Sequence, residues 1–282
     1  VALLDEPAKA GRPRHVGPAG TMSGVIDPRR GGVRGRLARA LPILPVLVAE
    51  AILWLGFGAL MPVLPLYLTE QGIDPATLGW IVAAWPAARL LGEPLFGVLA
   101  DRGDKRVFML AGLLAAAVVV PMPLVLTGVP AFLLARALAG LATAACDPAA
   151  RAYILDATPP EERGAAFGLY GSAQMGGLLL GPAFGGVGAA LGGGYVFPFA
   201  FCSAALVGAA VLLALTIWRR PAPLHVADEV TAAQAVADAP SSLWNRLLLA
   251  AIVINVGSFF ASGTYEVIWS LWMTALGADI GL

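Results

Sequence analysis

Long apolar runs dominate this sequence. Seven runs of about 20 residues or more are separated by short polar segments, and charged residues make up only 13% of the chain. The runs cover about residues 41–68, 78–100, 107–127, 131–155, 164–190, 195–218 and 243–275. A helix of about 20 residues crosses a hydrocarbon core, whereas a membrane β-barrel has shorter segments of alternating polarity. Because lipid requires backbone groups to pair internally, the pattern predicts an all-α polytopic membrane protein.

The basic residues are unevenly distributed, although the net charge is zero. Eight Lys and Arg precede the first run, and others flank the polar segments after the second, fourth and sixth runs. The segments 69–77, 128–130 and 191–194 contain no Lys or Arg. Because cytoplasmic loops of membrane proteins are enriched in basic residues, we expect a multi-pass protein of the cytoplasmic membrane with a cytoplasmic N-terminus.

Four segments are expected along the chain. Residues 1–40 are rich in Gly, Pro and Arg and are predicted to be a disordered cytoplasmic N-terminus. Residues 41–218 are predicted to form a six-helix bundle, and residues 219–242 a central cytoplasmic linker. Residues 243–282 are expected to begin a second bundle, because Leu, Thr, Gly and Asp recur at one offset in 66–74 and 271–279. The sequence ends where an eighth span is expected, which indicates one half of a protein plus the first helix of the next half.

A charged segment separates the second run from the third. It reads Gly97-Val-Leu-Ala-Asp101-Arg102-Gly-Asp104-Lys105-Arg106, and Asp104 is placed to cap the following helix. The Gly-x-x-x-Asp-Arg pattern and basic pair resemble the loop between spans two and three of the major facilitator superfamily. That family usually has Gly in place of Asp104 and Arg in place of Lys105. The resemblance implies that Asp101, Lys105 and Asp156 form a cytoplasmic charge lock of the outward-open state; ordinary solvated loop charges are the alternative.

The fifth run contains a glycine pattern. It reads Gly177-Leu-Leu-Leu-Gly181-Pro182-Ala-Phe-Gly185-Gly186. Gly residues at i, i+4 and i+8 form a flat helix face that a second backbone can approach, and Pro182 permits a bend. Plain helix packing is what this spacing itself predicts. The pattern also resembles the span-five motif of drug:proton antiporters in the same superfamily, which implies proton-driven export.

Six charged residues lie inside the apolar runs, away from the Arg residues near the run ends, and each needs a partner or a watery cavity. They are Glu50, Arg89, Glu93, Arg136, Asp147 and Glu266. Two i,i+4 pairs, Arg89 with Glu93 and Asp147 with Arg151, are candidates for structural ion pairs. The family resemblance implies that Arg136 faces the central cavity and takes part in proton coupling.

Glu50 is the preferred proton-carrying residue, ahead of Glu93 and Asp147. It has no basic residue one turn away on its own helix, and an apolar cavity favours the protonated form of a carboxyl group. Trp54 and Phe57 follow on the next turns and are candidates for an apolar substrate pocket. Further cavity candidates are Tyr170 and Gln174 of span five, and Asn255, Tyr265, Glu266 and Trp269 of span seven.

These features predict a transporter of the major facilitator fold that exports small amphipathic or lipophilic compounds in exchange for protons. A uniporter or symporter for sugars or metabolites on the same fold, and a non-transporting receptor or scaffold, are the alternatives. No catalytic residues, cofactor, metal site or nucleic-acid partner is expected, and the full-length protein is expected to be a monomer in the lipid bilayer. Cys146 and Cys202 lie in apolar runs and are expected to be small buried residues.

Overall fold

Eight α-helices follow the seven predicted runs. The computed structural model describes residues 42–218 and 246–277, and every long regular element in those ranges is a helix. The helices are α1 Leu44–Leu60, α2 Val63–Glu70, α3 Pro75–Arg102, α4 Lys105–Val119, α5 Val129–Ala157, α6 Arg163–Gly188, α7 Val196–Thr216 and α8 Arg246–Ala275. The all-α fold is therefore confirmed. The predicted N-terminal segment 1–40 and the linker 219–242 lie outside the described residues.

The helices have the length and composition needed to cross a membrane. Within the described ranges, five segments satisfy both requirements. They are Leu44–Glu70, Lys105–Leu124, Val129–Ala157, Pro160–Gly193 and Val196–Thr216. Helix α3 is 28 residues long but is not one of the five, and it carries Arg89 and Glu93 among its apolar residues. The predicted spans are thus helical. In the described ranges, α3 and α8 are the two long helices outside the five.

Aspartate side chains cap two of the helices. Asp74 Oδ1 accepts hydrogen bonds from the Ala76 and Thr77 backbone N–H groups, at 3.0 and 3.1 Å, before α3. Hydrogen bonds from Thr77 lower the pKa of Asp74, which keeps this cap charged at neutral pH. Asp104 accepts from the Arg106 backbone N–H at 3.0 Å and caps α4, as predicted. These caps place the loop ends of α3 at fixed positions.

Proline and glycine shape the first and fifth spans. The first run divides into α1 and α2 at Met61 and Pro62, where a proline permits a bend. Pro182 lies inside α6 and cannot donate to the Leu178 carbonyl four residues earlier. That carbonyl oxygen lies 2.7 Å from the position that a Cβ atom on Gly58 would occupy. The carbonyl group that the proline leaves unpaired within α6 therefore faces α1.

The glycine stripe of α6 lies directly against α1. A Cβ atom on Gly181 would lie 2.5 Å from the Gly58 backbone. Cβ atoms on Gly177 and Gly185 would overlap the backbone oxygens of Ala51 and Ala59. The close packing expected of these glycines is therefore present, and the two helix backbones touch over three turns.

The two segments that are similar in sequence, 66–74 and 271–279, each contain a turn of the same conformation. The Gly72 N–H donates to the Thr69 carbonyl at 2.9 Å, and the Gly277 N–H donates to the Thr274 carbonyl at 2.9 Å. Both glycines have positive φ, 79° and 90°, a region that residues with a Cβ atom rarely adopt. The repeat in the sequence thus corresponds to a repeat in backbone conformation.

We expect Gly181→Leu to destabilise the protein strongly. The new side chain has no room against the Gly58 backbone, and overpacking of this kind costs about 1–3 kcal/mol or more. Gly176→Leu is the matched control, because Gly176 lies on the same helix and a Cβ atom there meets no atom within 4 Å. Thermal unfolding of both variants in detergent tests this, and equal melting temperatures would contradict the close contact.

The orientation is tested by thiol labelling in intact cells. Both native cysteines are buried, Cys146 at 3% and Cys202 at 0% exposure, so background labelling should be low. Cysteines at the exposed positions Gln71 and Leu191 should react with an impermeant reagent, because their loops lack Lys and Arg. A cysteine at exposed Glu161 should react only after permeabilisation. The opposite pattern would reverse the expected topology.

Candidate functional site: a buried carboxyl group beside an aromatic cavity

Glu50 lies at the centre of the helical bundle with neutral hydrogen-bond donors. It is 3% exposed, and its Oε1 atom accepts from Trp54 Nε1 at 2.9 Å and from Gln174 Nε2 at 2.6 Å. Within the described part of the chain, its Oε2 atom accepts no hydrogen bond and no Lys or Arg forms an ion pair with the carboxyl group. Gln174 was a minor candidate from the sequence, and the structure places it in direct contact with Glu50.

Two further polar groups lie close to Glu50. Asp147, 1% exposed, is near enough to interact electrostatically with it. Tyr170 is 3% exposed, and its hydroxyl group lies near the Glu50 carboxyl group but outside hydrogen-bond geometry. The neighbouring surfaces from α4 and α7 are apolar at Met109, Leu113 and Leu213. Glu50 therefore occupies a mostly apolar environment.

Asp147, in contrast, has two cationic partners. Arg89 forms ion pairs with Asp147 and with Glu93, whose Oε1 accepts from Arg89 Nε at 3.0 Å. Arg151 lies at 3.7 Å from the same Asp147 oxygen, but its side chain is 43% exposed. Both i,i+4 pairs expected from the sequence are present. The pair between Arg89 and Asp147, which joins α3 to α5, was not predicted.

An aromatic path runs from Glu50 to two arginines. The ring of Trp54 lies 6.4 Å from that of Phe57, which lies 6.0 Å from that of Trp85. Two guanidinium groups contact the Trp85 ring, Arg89 at 4.9 Å and Arg136 at 5.8 Å from its centroid. Such contacts are favourable cation–π interactions. The carboxyl site is thus connected to the arginines through neighbouring aromatic rings that are tilted against one another.

A small cavity opens beside this aromatic path. Its walls are Trp54, Phe57, Leu60, Met61, Leu64, Trp85 and Arg136. Arg136 thus borders this cavity, and its role in proton coupling stays a prediction. The lining is aromatic and aliphatic apart from the guanidinium group, which is typical of pockets for apolar ligands with few polar contacts.

The cytoplasmic motif is partly assembled. Lys105 forms an ion pair with Asp156 across α4 and α5. Arg106 pairs with Asp104 at 3.0 Å and lies over the Trp218 ring at 5.8 Å. The other motif charges, Asp101 and Arg102, are exposed, and Asp101 pairs with no described residue. A Cβ atom on Gly97 would lie 3.9 Å from the Pro148 Cβ atom. The structure therefore brings Lys105 and Asp156 together and leaves Asp101 apart from them.

The candidates on α8 are mostly not described. The side chains of Asn255, Tyr265 and Glu266 lie outside the described residues. Trp269 is 42% exposed and packs against Trp272 with 5.9 Å between ring centroids. The site that the structure describes is therefore built from α1, α3, α5 and α6.

Two residues of the site were missed from the sequence as cross-helix partners. Arg89 was interpreted only as a partner of Glu93, and Trp85 was not singled out. Trp85, Arg89 and Glu93 follow at spacings of four, so the helical period places them on one face of α3. Gly140 of α5 lies against the Trp85 backbone, where a Cβ atom would be 3.2 Å from the Trp85 carbonyl carbon. A polar face on α3 opposite a small residue on α5 was the available signal.

The chain belongs to the Major Facilitator Superfamily, whose family model matches residues 46–282. It is 30% identical over 227 residues to "Multidrug resistance protein 2" of Bacillus subtilis, an alignment that covers 78% of this chain and 55% of that protein. It is also 30% identical over 135 residues to "Quinolone resistance protein NorA" of Staphylococcus aureus, covering 48% of this chain and 35% of NorA. The chain thus spans about half the length of these relatives or less.

Solved structures share the fold at low sequence identity. A D-xylose-proton symporter superposes with a TM-score of 0.59 at 19% identity, over 85% of this chain and 63% of that one. A bacterial homolog of the human lysosomal transporter Spinster, in an inward-facing and occupied conformation, gives a TM-score of 0.57 at 20% identity. That match covers 68% of this chain and 46% of the other. These similarities establish the transporter fold that the sequence predicted.

Arg89→Met is expected to lower the free energy of unfolding by about 3–5 kcal/mol, because it leaves the buried Asp147 carboxylate without its main partner. Adding Asp147→Leu should recover much of that loss, since both buried charges are then removed. Arg151→Met is the matched control on the same carboxylate and should cost less than about 1 kcal/mol, because Arg151 is largely solvated. Denaturant unfolding measures all three. Equal losses in Arg89→Met and Arg151→Met would contradict the central role of Arg89.

Proposed function

We propose that this protein exports small amphipathic or lipophilic compounds across the cytoplasmic membrane in exchange for protons. The observation that carries the proposal is the state of Glu50, a buried carboxyl group that has only neutral donors and adjoins an aromatic cavity through Trp54. Its ligands are then protons and small-molecule substrates. The whole transporter is taken to have a second bundle, which contributes the other wall of the substrate site.

An antiporter needs a group that holds a proton when substrate is absent and releases it when substrate binds. A carboxyl group with a fixed cationic partner is a poor choice, because the cation holds it in the charged form. Asp147 and Glu93 share Arg89 in this way, whereas Glu50 pairs with no described cation. Glu50 is therefore the group best placed to exchange its proton, whereas the pair between Asp147 and Arg89 joins α5 to α3.

The cavity supports a lipophilic substrate rather than a sugar. A sugar presents many hydroxyl groups, and each needs a hydrogen-bond partner when it is buried. Among the seven lining residues, six are aromatic, aliphatic or Met, and the seventh is Arg136. A sugar symporter or uniporter, which the fold alone permits, therefore has less support. The printed names of the two bacterial relatives, a multidrug and a quinolone resistance protein, agree with export.

Other classes of function have weaker support. Family membership favours a transporter over an enzyme. A receptor or scaffold has no need of the internal charges of α1, α3 and α5, which are unfavourable in a membrane. For the orientation, we assign the basic segments and the N-terminus to the cytoplasm, which places the Lys105 and Asp156 pair at the inner surface, where it serves as a gate contact.

The proposal is tested by dye efflux from cells that express the complete gene. Wild-type efflux should collapse when a protonophore is added. Glu50→Gln should abolish proton-driven efflux while substrate still moves down its own gradient, because the amide mimics a permanently protonated carboxyl group. Glu50→Asp should keep part of the activity.

Glu93→Gln is the control, because it removes a carboxylate that shares Arg89 and should leave coupling largely intact. Substrate-induced proton release from purified protein gives the second measurement. Release that persists in Glu50→Gln but is lost in Glu93→Gln or Asp147→Asn would move the proton site to α3 or α5. Efflux that resists the protonophore would overturn proton coupling itself.

A further inference from the structure

Tyr170 presents a buried hydroxyl group that has no hydrogen-bond partner in the described part of the chain. The residue is 3% exposed, and its oxygen lies near the Glu50 carboxyl group without bonding to it. The large majority of buried side-chain polar atoms in proteins are hydrogen-bonded. This hydroxyl group lies beside a carboxyl group that can titrate. Its missing hydrogen bond is therefore expected to form when the carboxyl group gains or loses a proton.

The two oxygens of Glu50 are in different situations. Both Trp54 and Gln174 donate to Oε1, and no described residue donates to Oε2. A proton is therefore better placed on Oε2, since Oε1 already receives two N–H groups. Once protonated, Oε2 becomes a donor and needs an acceptor in its buried surroundings. The Trp54 indole cannot be this acceptor, because its N–H group only donates.

We propose that the Tyr170 hydroxyl oxygen accepts the hydrogen bond of protonated Glu50 and so stabilises the proton-loaded form of the site. The inference rests on the proposed function, in which Glu50 carries the exchanged proton. Tyr170 is thus a positioning residue: the proton remains on Glu50, and the tyrosine determines how strongly it is held. The hydroxyl group suits this role because its oxygen atom has lone pairs that can accept the hydrogen bond of the protonated carboxyl group.

Other titratable groups near Glu50 are less suitable acceptors for the hydrogen bond of its protonated form. From α5, Asp147 is held by Arg89, which reaches it from α3, and Cys146 has only a weakly accepting sulfur atom. Arg151 is directed to Asp147 and is largely exposed. The sides contributed by α4 and α7 are apolar at Met109, Leu113 and Leu213. Among the described side chains bonded to Glu50, Gln174 offers a rival acceptor in its amide oxygen, which would have to exchange places with the Nε2 atom that now donates to Glu50.

The test is an infrared titration of the purified full-length protein. The C=O band of protonated Glu50 is assigned by its absence in Glu50→Gln, and its intensity is followed with pH. Tyr170→Phe should move the midpoint to lower pH by about 0.5 to 1 unit, the effect of losing one hydrogen bond to the protonated form. The band should also move to higher frequency, because the O–H group loses its acceptor. The pH at which efflux is half-maximal should move by the same amount.

Tyr67→Phe is the matched control. Tyr67 is also buried, but its hydroxyl group donates to the Pro123 carbonyl at 2.8 Å in another part of the bundle. It should leave the Glu50 band and its midpoint unchanged. Tyr170→Phe should retain the wild-type melting temperature, because it removes an oxygen that has no partner in the described state.

The outcomes separate this inference from the proposed function. A Glu50 band whose midpoint and frequency are the same in wild type and Tyr170→Phe overturns the role of Tyr170 while leaving Glu50 as the proton carrier. A shift in Gln174→Leu but not in Tyr170→Phe assigns the acceptor to Gln174 instead. If wild-type protein shows no band that Glu50→Gln removes and no protonophore-sensitive efflux, both proposals fail.

Discussion

The contact between α1 and α6 determines the position of the two α6 side chains beside Glu50, Gln174 and Tyr170. Helix association in lipid depends on close packing, because apolar side chains gain nothing by leaving a hydrocarbon environment. Gly177, Gly181 and Gly185 permit that packing against the backbone of α1. Gln174 and Tyr170 precede them at spacings of three and four residues and so extend the same helix face. The glycine contact and the hydrogen-bond donors of Glu50 are therefore parts of one surface.

The protein contains two kinds of buried carboxyl group, and the difference lies in their partners. Asp147 is held by a buried arginine, and breaking such a pair leaves an uncompensated charge that is strongly destabilising. Glu50 accepts hydrogen bonds from neutral N–H groups. These groups stabilise the carboxylate when it is charged and do not prevent its protonation as a fixed cation would. A site that must change its charge during a cycle needs the second arrangement. A site that joins two helices permanently needs the first.

The spans, their order and the local ion pairs could be predicted from the sequence, because each depends on residues within about 20 positions of one another. Apolar run length indicated the helices, and the i,i+4 spacings indicated the pairs of Arg89 with Glu93 and of Asp147 with Arg151. The contact between Arg89 and Asp147 could not be predicted, because it depends on which face of α3 meets α5. Trp85 could not be predicted as a site residue for the same reason, because its role depends on contacts with both Arg89 and Arg136.

Trp54 links the carboxyl group to the cavity physically. Its N–H group donates to Glu50, and its ring forms part of the cavity wall. A ligand that enters the cavity and turns this ring removes one of the two donors that the Glu50 carboxylate receives. A ligand that leaves the ring in place keeps both donors. Under the proposed export function, Trp54 is therefore the side chain through which a ligand in the cavity would act on the Glu50 carboxyl group.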